Sequence, residues 1–178
     1  MIQVYENFLS QEKVSLVNDY ALCSSYKYGE RDNPYTPVVG LVHDVQEEHW
    51  VYELFHKLTK KLVPDDMSLE RIYINCFAPS ENPYYHIDNE DGVTFIYYVN
   101  GTHNRDAGGE TQIVVDDVIK GIFPVPNRML KFDANLWHRA TAYRYDHRFT
   151  LAIKYGRVSS KTIQNAGGGS SPPCIVSN

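Results

Sequence analysis

Apolar residues recur at helical intervals in the first third of the chain, and from about Leu69 onward they alternate with polar ones or gather in short runs. Residues 2–8 read as a short strand. Ser10 stands where a helix N-cap belongs, ahead of Gln11 to Cys23 with Val14, Leu16, Val17 and Leu22, a weakly amphipathic helix. Tyr26 to Val42 carries Gly29, Asp32, Asn33, Pro34, Pro37 and Gly40, turn chemistry that predicts an excursion with one short strand. Its plain reading is a surface loop and its functional reading a cover over a site. Asp44 is expected to cap the strongest helical pattern, about Val45 to Leu62, where Val45, His49, Tyr52, Leu54, Phe55, Leu58 and Leu62 recur before Pro64.

The second part predicts strands. In Arg71 to Phe77, Ile72, Ile74 and Cys76 share one face and Tyr73, Asn75 and Phe77 the other. A turn at 78–83 leads into an extended Tyr84–Gly92 stretch, and Val93 to Asn100 is β-branched and aromatic. The pair Gly108-Gly109 suits a bulge or a close backbone approach before Glu110 to Val115. Further strands are expected over 118–125, 128–132, 136–142 and 148–155. Helices followed by short strands predict an α+β, mainly β fold, a double-stranded β-helix (a jelly-roll, cupin-like barrel) packed against N-terminal helices. We expect a single domain over 1–158, with helical support from 10 to 63 and the barrel from 69 to 156. The Gly/Ser/Pro-rich residues 159–178 are expected to form a flexible tail.

Length and composition narrow the function. A chain of 178 residues holds one sizeable core. Seventeen basic residues against 22 acidic ones form no cationic stripe, which disfavours nucleic acid as a partner. Apolar runs are too short for a membrane span, and the N-terminus has no secretory pattern. Cys23, Cys76 and Cys174 are widely spaced with no CxxC, so neither a disulfide framework nor a cysteine zinc site is expected, and a reducing cytoplasm fits best.

In an extended segment His86 and Asp88 point the same way, with Cα atoms about 6.5–7 Å apart. Fifty residues after Asp88 comes His138, inside another strand-like run. Two imidazoles and a carboxylate on one face of an octahedron are the non-haem Fe(II) oxygenase ligand set. A histidine two residues from an aspartate is common by chance, so the pair needs a further signal. His49 and His56, two helical turns apart, read as ordinary helix residues; His43, His103 and His147 have no chelating partner at a persuasive interval.

The further signal is the 148–155 strand. Its odd positions are apolar, while Arg148, Thr150, Ala152 and Lys154 fall on the other face. A guanidinium inside a barrel needs a carboxylate, and no carboxylate of the chain is an evident partner. A 2-oxo dicarboxylic acid would chelate a metal at one end and hold Arg148 with the other. The plain alternative is an exposed arginine on an edge strand.

With Ile96-Tyr97-Tyr98-Val99-Asn100 after the first pair and Gly108-Gly109-Glu110-Thr111 before the distal histidine, His86-x-Asp88, His138 and Arg148 together resemble the Fe(II)/2-oxoglutarate-dependent oxygenases, in their prolyl hydroxylase-like branch. The resemblance covers roughly Ile72 to Tyr155. It implies His86, Asp88 and His138 as iron ligands and Arg148 as the anchor of the 2-oxoglutarate distal carboxylate. Tyr98 matches a tyrosine that assists that anchor in the oxygen-sensing branch, with Thr150 a further candidate; a core aromatic is the plain reading of Tyr98. Asn75-Cys76-Phe77-Ala78-Pro79 is similar to a 2-oxoglutarate-binding stretch of bacterial alkylation-repair demethylases, which brings in Asn75 alone because Phe77 lacks the tyrosine hydroxyl.

The implied reaction uses Fe(II), O₂ and 2-oxoglutarate, releases succinate and CO₂, and hydroxylates an unactivated C–H bond, of a prolyl residue in a peptide or protein. Ascorbate is implied as the reductant that rescues oxidised iron. The arginine-to-histidine interval is that of the collagen-type enzymes, whereas an arginine at this role is the oxygen-sensing habit, so two patterns are mixed. Tyr84, Tyr85 and Trp137 are candidates for a substrate groove. The rival readings are an oxygenase acting on a nucleic acid or small molecule, and a non-redox, cupin-like metal-binding protein. The latter usually supplies a His-x-His pair and has no use for Arg148.

Overall fold

The computed structural model describes residues 1–157, so the tail expected over 159–178 lies outside the described residues. Ten strands and two α-helices alternate along it: β1 (Ile2–Tyr5), α1 (Gln11–Cys23), β2 (Lys27–Tyr28), β3 (Leu41–Asp44), α2 (Trp50–Thr59), β4 (Met67–Phe77), β5 (Gly92–Tyr98), β6 (Thr111–Val115), β7 (Val118–Ile122), β8 (Met129–Asp133), β9 (His138–Ala140) and β10 (Arg148–Arg157). All pairing is antiparallel. Seven strands form one sheet in the order β1-β8-β5-β10-β4-β3-β2, and three form a second, β7-β6-β9. The expected α+β double-stranded β-helix is the observed architecture.

The two faces of the large sheet are covered differently. On one face Ile72 and Ile74 of β4, Phe95 and Tyr97 of β5, and Leu151 and Ile153 of β10 pack against Val17 and Ala21 of α1 and Val51 and Phe55 of α2. Each such side chain contributes about 1.5–3 kcal/mol by leaving water. On the other face Tyr98 joins Ile113, Leu130 and Phe132 in a small cluster between the sheets, and the rest of that space is a cavity.

Long-range pairing changed several expected boundaries. The second helix starts at Trp50, not Val45, and Asp44 does not cap it. Asp44 ends β3, registered against Tyr73, and its carboxylate receives the Arg71 guanidinium, while the cap is His49, whose Nδ1 accepts from the Val51 N–H. Ser10 occupies the N-cap position of α1 without a side-chain bond. Residues 84–91 do not form a strand: among them only His86 bridges, to His138 at the start of the three-residue β9. The 26–42 excursion contains β2 and the start of β3, and hangs on Arg71, which pairs with Glu30 as well as Asp44. Among the described residues no helix is long and apolar enough to cross a membrane.

Candidate active site

One strand carries most of the cavity chemistry. On β10, Phe149, Leu151, Ile153 and Tyr155 face the helices, while Arg148, Thr150, Ala152 and Lys154 line a cavity of about 230 Å³. Register extends that face sideways. Thr150 lies opposite Asn75 of β4 and Tyr98 of β5, Ala152 opposite Tyr73, and Lys154 opposite Thr94. The small sheet contributes Thr111 and His138, and the excursion contributes Glu30, Arg31 and Asp32.

At one end of this cavity His86, Asp88 and His138 converge. His86 and His138 exchange both backbone hydrogen bonds, N–H to O at 3.0 and 2.9 Å, and the Asp88 N–H donates to Ala134 O at 2.9 Å, so three distant residues are fixed by main chain. One ligand atom from each lies within 4.8 Å of the others. Asp88 Oδ1 is 3.5 Å from His86 Nε2, and Oδ2 is 3.5 Å from His138 Nε2. Each imidazole Nδ1 meets a backbone carbonyl, Tyr84 O at 3.0 Å and Leu136 O at 2.9 Å. A ring that donates from Nδ1 to a carbonyl keeps its proton there and presents a bare Nε2, the form a metal ligand requires.

At His138 the electrostatics agree with that form. Burial pushes His138 down to about 4, which keeps it neutral near pH 7. Burial opposes ionisation of Asp88 too, yet the His86 imidazole and the Lys154 ammonium hold its carboxyl well below the usual carboxylate range. His86 is lifted, because its contacts with Asp88 and Tyr84 O outweigh its burial. The Asp88 side chain is 3 % exposed, and its Oδ2 accepts from Thr94 Oγ1 at 2.5 Å. Lys154 Nζ approaches Oδ1 to 2.8 Å as an ion pair. A buried carboxylate whose two oxygens each stand 3.5 Å from an imidazole Nε2 suits a divalent cation.

Arg148 occupies the other end, 2 % exposed. Its Nε donates to Gly109 O at 2.8 Å, Nη2 to Thr111 Oγ1 at 3.0 Å and Nη1 to Thr150 Oγ1 at 3.3 Å. Among the described residues no carboxylate pairs with it. Burial pulls its pKa down, and an uncompensated interior cation is costly unless a ligand neutralises it. The glycine pair makes this geometry available: Gly109 has φ +81°, and a Cβ there would lie 2.2 Å from the Tyr143 ring, so only glycine lets that carbonyl reach the guanidinium.

The remaining expected residues divide. Thr150 and Asn75 line the cavity. Tyr98 is buried beside it and donates to Thr111 Oγ1 at 2.8 Å, with the Arg148 guanidinium 5.7 Å from its ring centre; burial lifts its hydroxyl to about 12. Tyr98 therefore reaches the cavity only through Thr111. Tyr84, Tyr85 and Trp137 are not among the lining residues; Tyr85 instead carries the Arg139 guanidinium on its ring. The excursion touches the site directly, since Asp32 Oδ2 accepts from Tyr84 N–H at 2.7 Å and Oδ1 lies 3.5 Å from His86 Nδ1.

Sequence reasoning missed Lys154, Thr94, Thr111 and Asp32 as functional residues. The alternation that exposed Arg148 and Thr150 also put Lys154 on their face, so that signal was present. Thr94 and Asp32 carry none, because only cross-strand register and loop closure bring them to Asp88 and His86.

No protein-family profile and no curated protein matches the chain. Solved structures do. A prolyl hydroxylase from Trichoplax adhaerens, in complex with a hypoxia inducible factor oxygen degradation domain peptide fragment, superposes with a TM-score of 0.74 over 92% of this chain and 87% of its own, at 17% identity. An oxidoreductase of the 2OG-Fe(II) oxygenase family from Burkholderia pseudomallei gives 0.71 over 88% and 85%, at 10% identity. HygX from Streptomyces hygroscopicus, with nickel, 2-oxoglutarate and hygromycin B bound, gives 0.66 over 88% and 82%, at 11% identity. At such identities the likeness establishes the shared double-stranded β-helix.

Proposed function

We propose that the chain is an Fe(II)- and 2-oxoglutarate-dependent dioxygenase of the prolyl hydroxylase-like branch, hydroxylating a prolyl residue of a peptide or protein. The observation that carries this reading is a single cavity with a metal-ready His-Asp-His cluster at one end and a buried, carboxylate-free arginine at the other. A cupin-like metal-binding protein without redox chemistry would leave Arg148 without a purpose. That the same fold holds a peptide in one relative supports a peptide substrate. The net charge of −5 speaks against nucleic acid.

His86, Asp88 and His138 would hold the iron, which when bound supplies O₂ activation coupled to decarboxylation of 2-oxoglutarate. Arg148, steadied by Gly109 O, Thr111 and Thr150, takes the distal carboxylate by a planar, two-pronged match. Asn75 and Thr150 flank the cosubstrate channel, and Tyr98 stiffens Thr111 behind it. Buried walls exclude water, so that oxidation is directed at the substrate. The products are the hydroxylated substrate, succinate and CO₂. Ascorbate serves as the reductant that returns oxidised iron to the ferrous state, and the free Cys23 and Cys76 suit a reducing cytoplasm.

Anaerobic titration with Fe(II) and 2-oxoglutarate tests the reading. A weak visible charge-transfer band is expected, and it should vanish in His86→Ala and Asp88→Ala. No band at saturating metal and cosubstrate overturns it. Succinate release stimulated by proline-containing peptides supports the peptide substrate; stimulation by an oligonucleotide or a small polyhydroxylated molecule alone reassigns it.

A further inference from the structure

Lys154 and Asp88 form a largely buried ion pair, with the ammonium 2.8 Å from Oδ1. Thr94 already occupies Oδ2, and Oδ1 is the oxygen that faces His86 Nε2. The lysine cation therefore sits on the carboxylate oxygen that a metal shared with His86 would use. Thr94 and Lys154 are register partners on adjacent strands, so the two grips on Asp88 are built by the sheet. Lys154 also has somewhere else to go. Its Nζ lies 5.2 Å from the centre of the Tyr73 ring, a face that attracts a cation, and its four-carbon stem is flexible.

We propose that Lys154 is a built-in rival of the metal ion: it neutralises Asp88, competes with a divalent cation for Oδ1, and keeps the metal exchangeable. The inference rests on the reading of His86, Asp88 and His138 as the metal site. Asp88 brings a negative charge to the cluster, and the Lys154 ammonium beside it offsets that charge. A divalent ion must then displace the ammonium toward Tyr73 or share the carboxylate with it, and either route weakens binding. In return, Asp88 is never left as a bare charge in a dry cavity.

Manganese, which resembles Fe(II) in size and survives air, is the probe. Full-length wild type, Lys154→Met and Lys154→Gln are titrated with Mn(II) by calorimetry in the absence of cosubstrate, and their melting is followed with and without the ion. Both variants are expected to bind Mn(II) about tenfold more tightly than wild type. They should melt lower without metal and gain more from it than wild type does. Unchanged or weaker Mn(II) binding in the folded variants overturns the rivalry and makes Lys154 a support for Asp88 instead. A variant too unstable to isolate metal-free is refolded in Mn(II), and failure of the ion to rescue it also counts against the proposal. Should wild type bind no Mn(II), or His138→Ala bind it equally well, the metal site itself falls; normal wild-type binding with unmoved variants removes only the inference about Lys154.

Discussion

Strand β10 has two faces built from one alternating sequence, and they solve opposite problems. Leu151 and Ile153 face the helices in a site with no polar demands, and their value is the water they exclude. Arg148, Thr150 and Lys154 face the cavity, where burial works against charge and each polar group must find a partner. The partners on that side are incomplete: among the described residues no carboxylate pairs with Arg148. The core face is finished by folding alone, whereas the cavity face is left to be finished by ligands. That difference separates substitutions that lower stability from those that lower chemistry.

The largest expected effect lies on the cavity side. His138→Ala or Asp88→Ala should abolish metal-dependent succinate formation and weaken Mn(II) binding at least about 100-fold, read by equilibrium dialysis. Arg148→Ala should raise the KM for 2-oxoglutarate about 100-fold with metal affinity unchanged, and Arg148→Lys should recover only part, since a point charge cannot make the planar contact. On the opposite face, Ile153→Ala should cost about 2–5 kcal/mol in urea denaturation while leaving the Mn(II) dissociation constant where it was. A metal affinity that moves with Ile153 would break the separation of the two faces. Thr94→Val removes a donor to ionised Asp88 and is expected to cost about 1.5–3 kcal/mol of metal-free stability, visible as a lower melting temperature. The smallest effect belongs to Tyr98→Phe, which acts through Thr111: the 2-oxoglutarate KM should rise about two- to fivefold, with kcat steady.

Much of the site was legible because it is written in period two. The interval between His86 and Asp88 and the alternation from Arg148 onward are local facts, and extended backbone turns them directly into shared faces. Fold class followed from the change of texture near Leu69. Asp44 shows where local reading ends: it has the right chemistry and position for a helix cap, but strand pairing with Tyr73 and the Arg71 guanidinium claim it first. The His86 stretch has strand composition, yet within it only His86 bridges, to His138. Thr94 and Asp32 became visible only when register and loop closure placed them, and no residue spacing encodes either.

Asp32 gives the 26–42 excursion a grip on the main chain just before His86 and a carboxylate beside its imidazole. The same aspartate thus ties a long turn-rich segment to both the main chain and the side chain of the stretch that carries His86, so a change in the one is felt at the other.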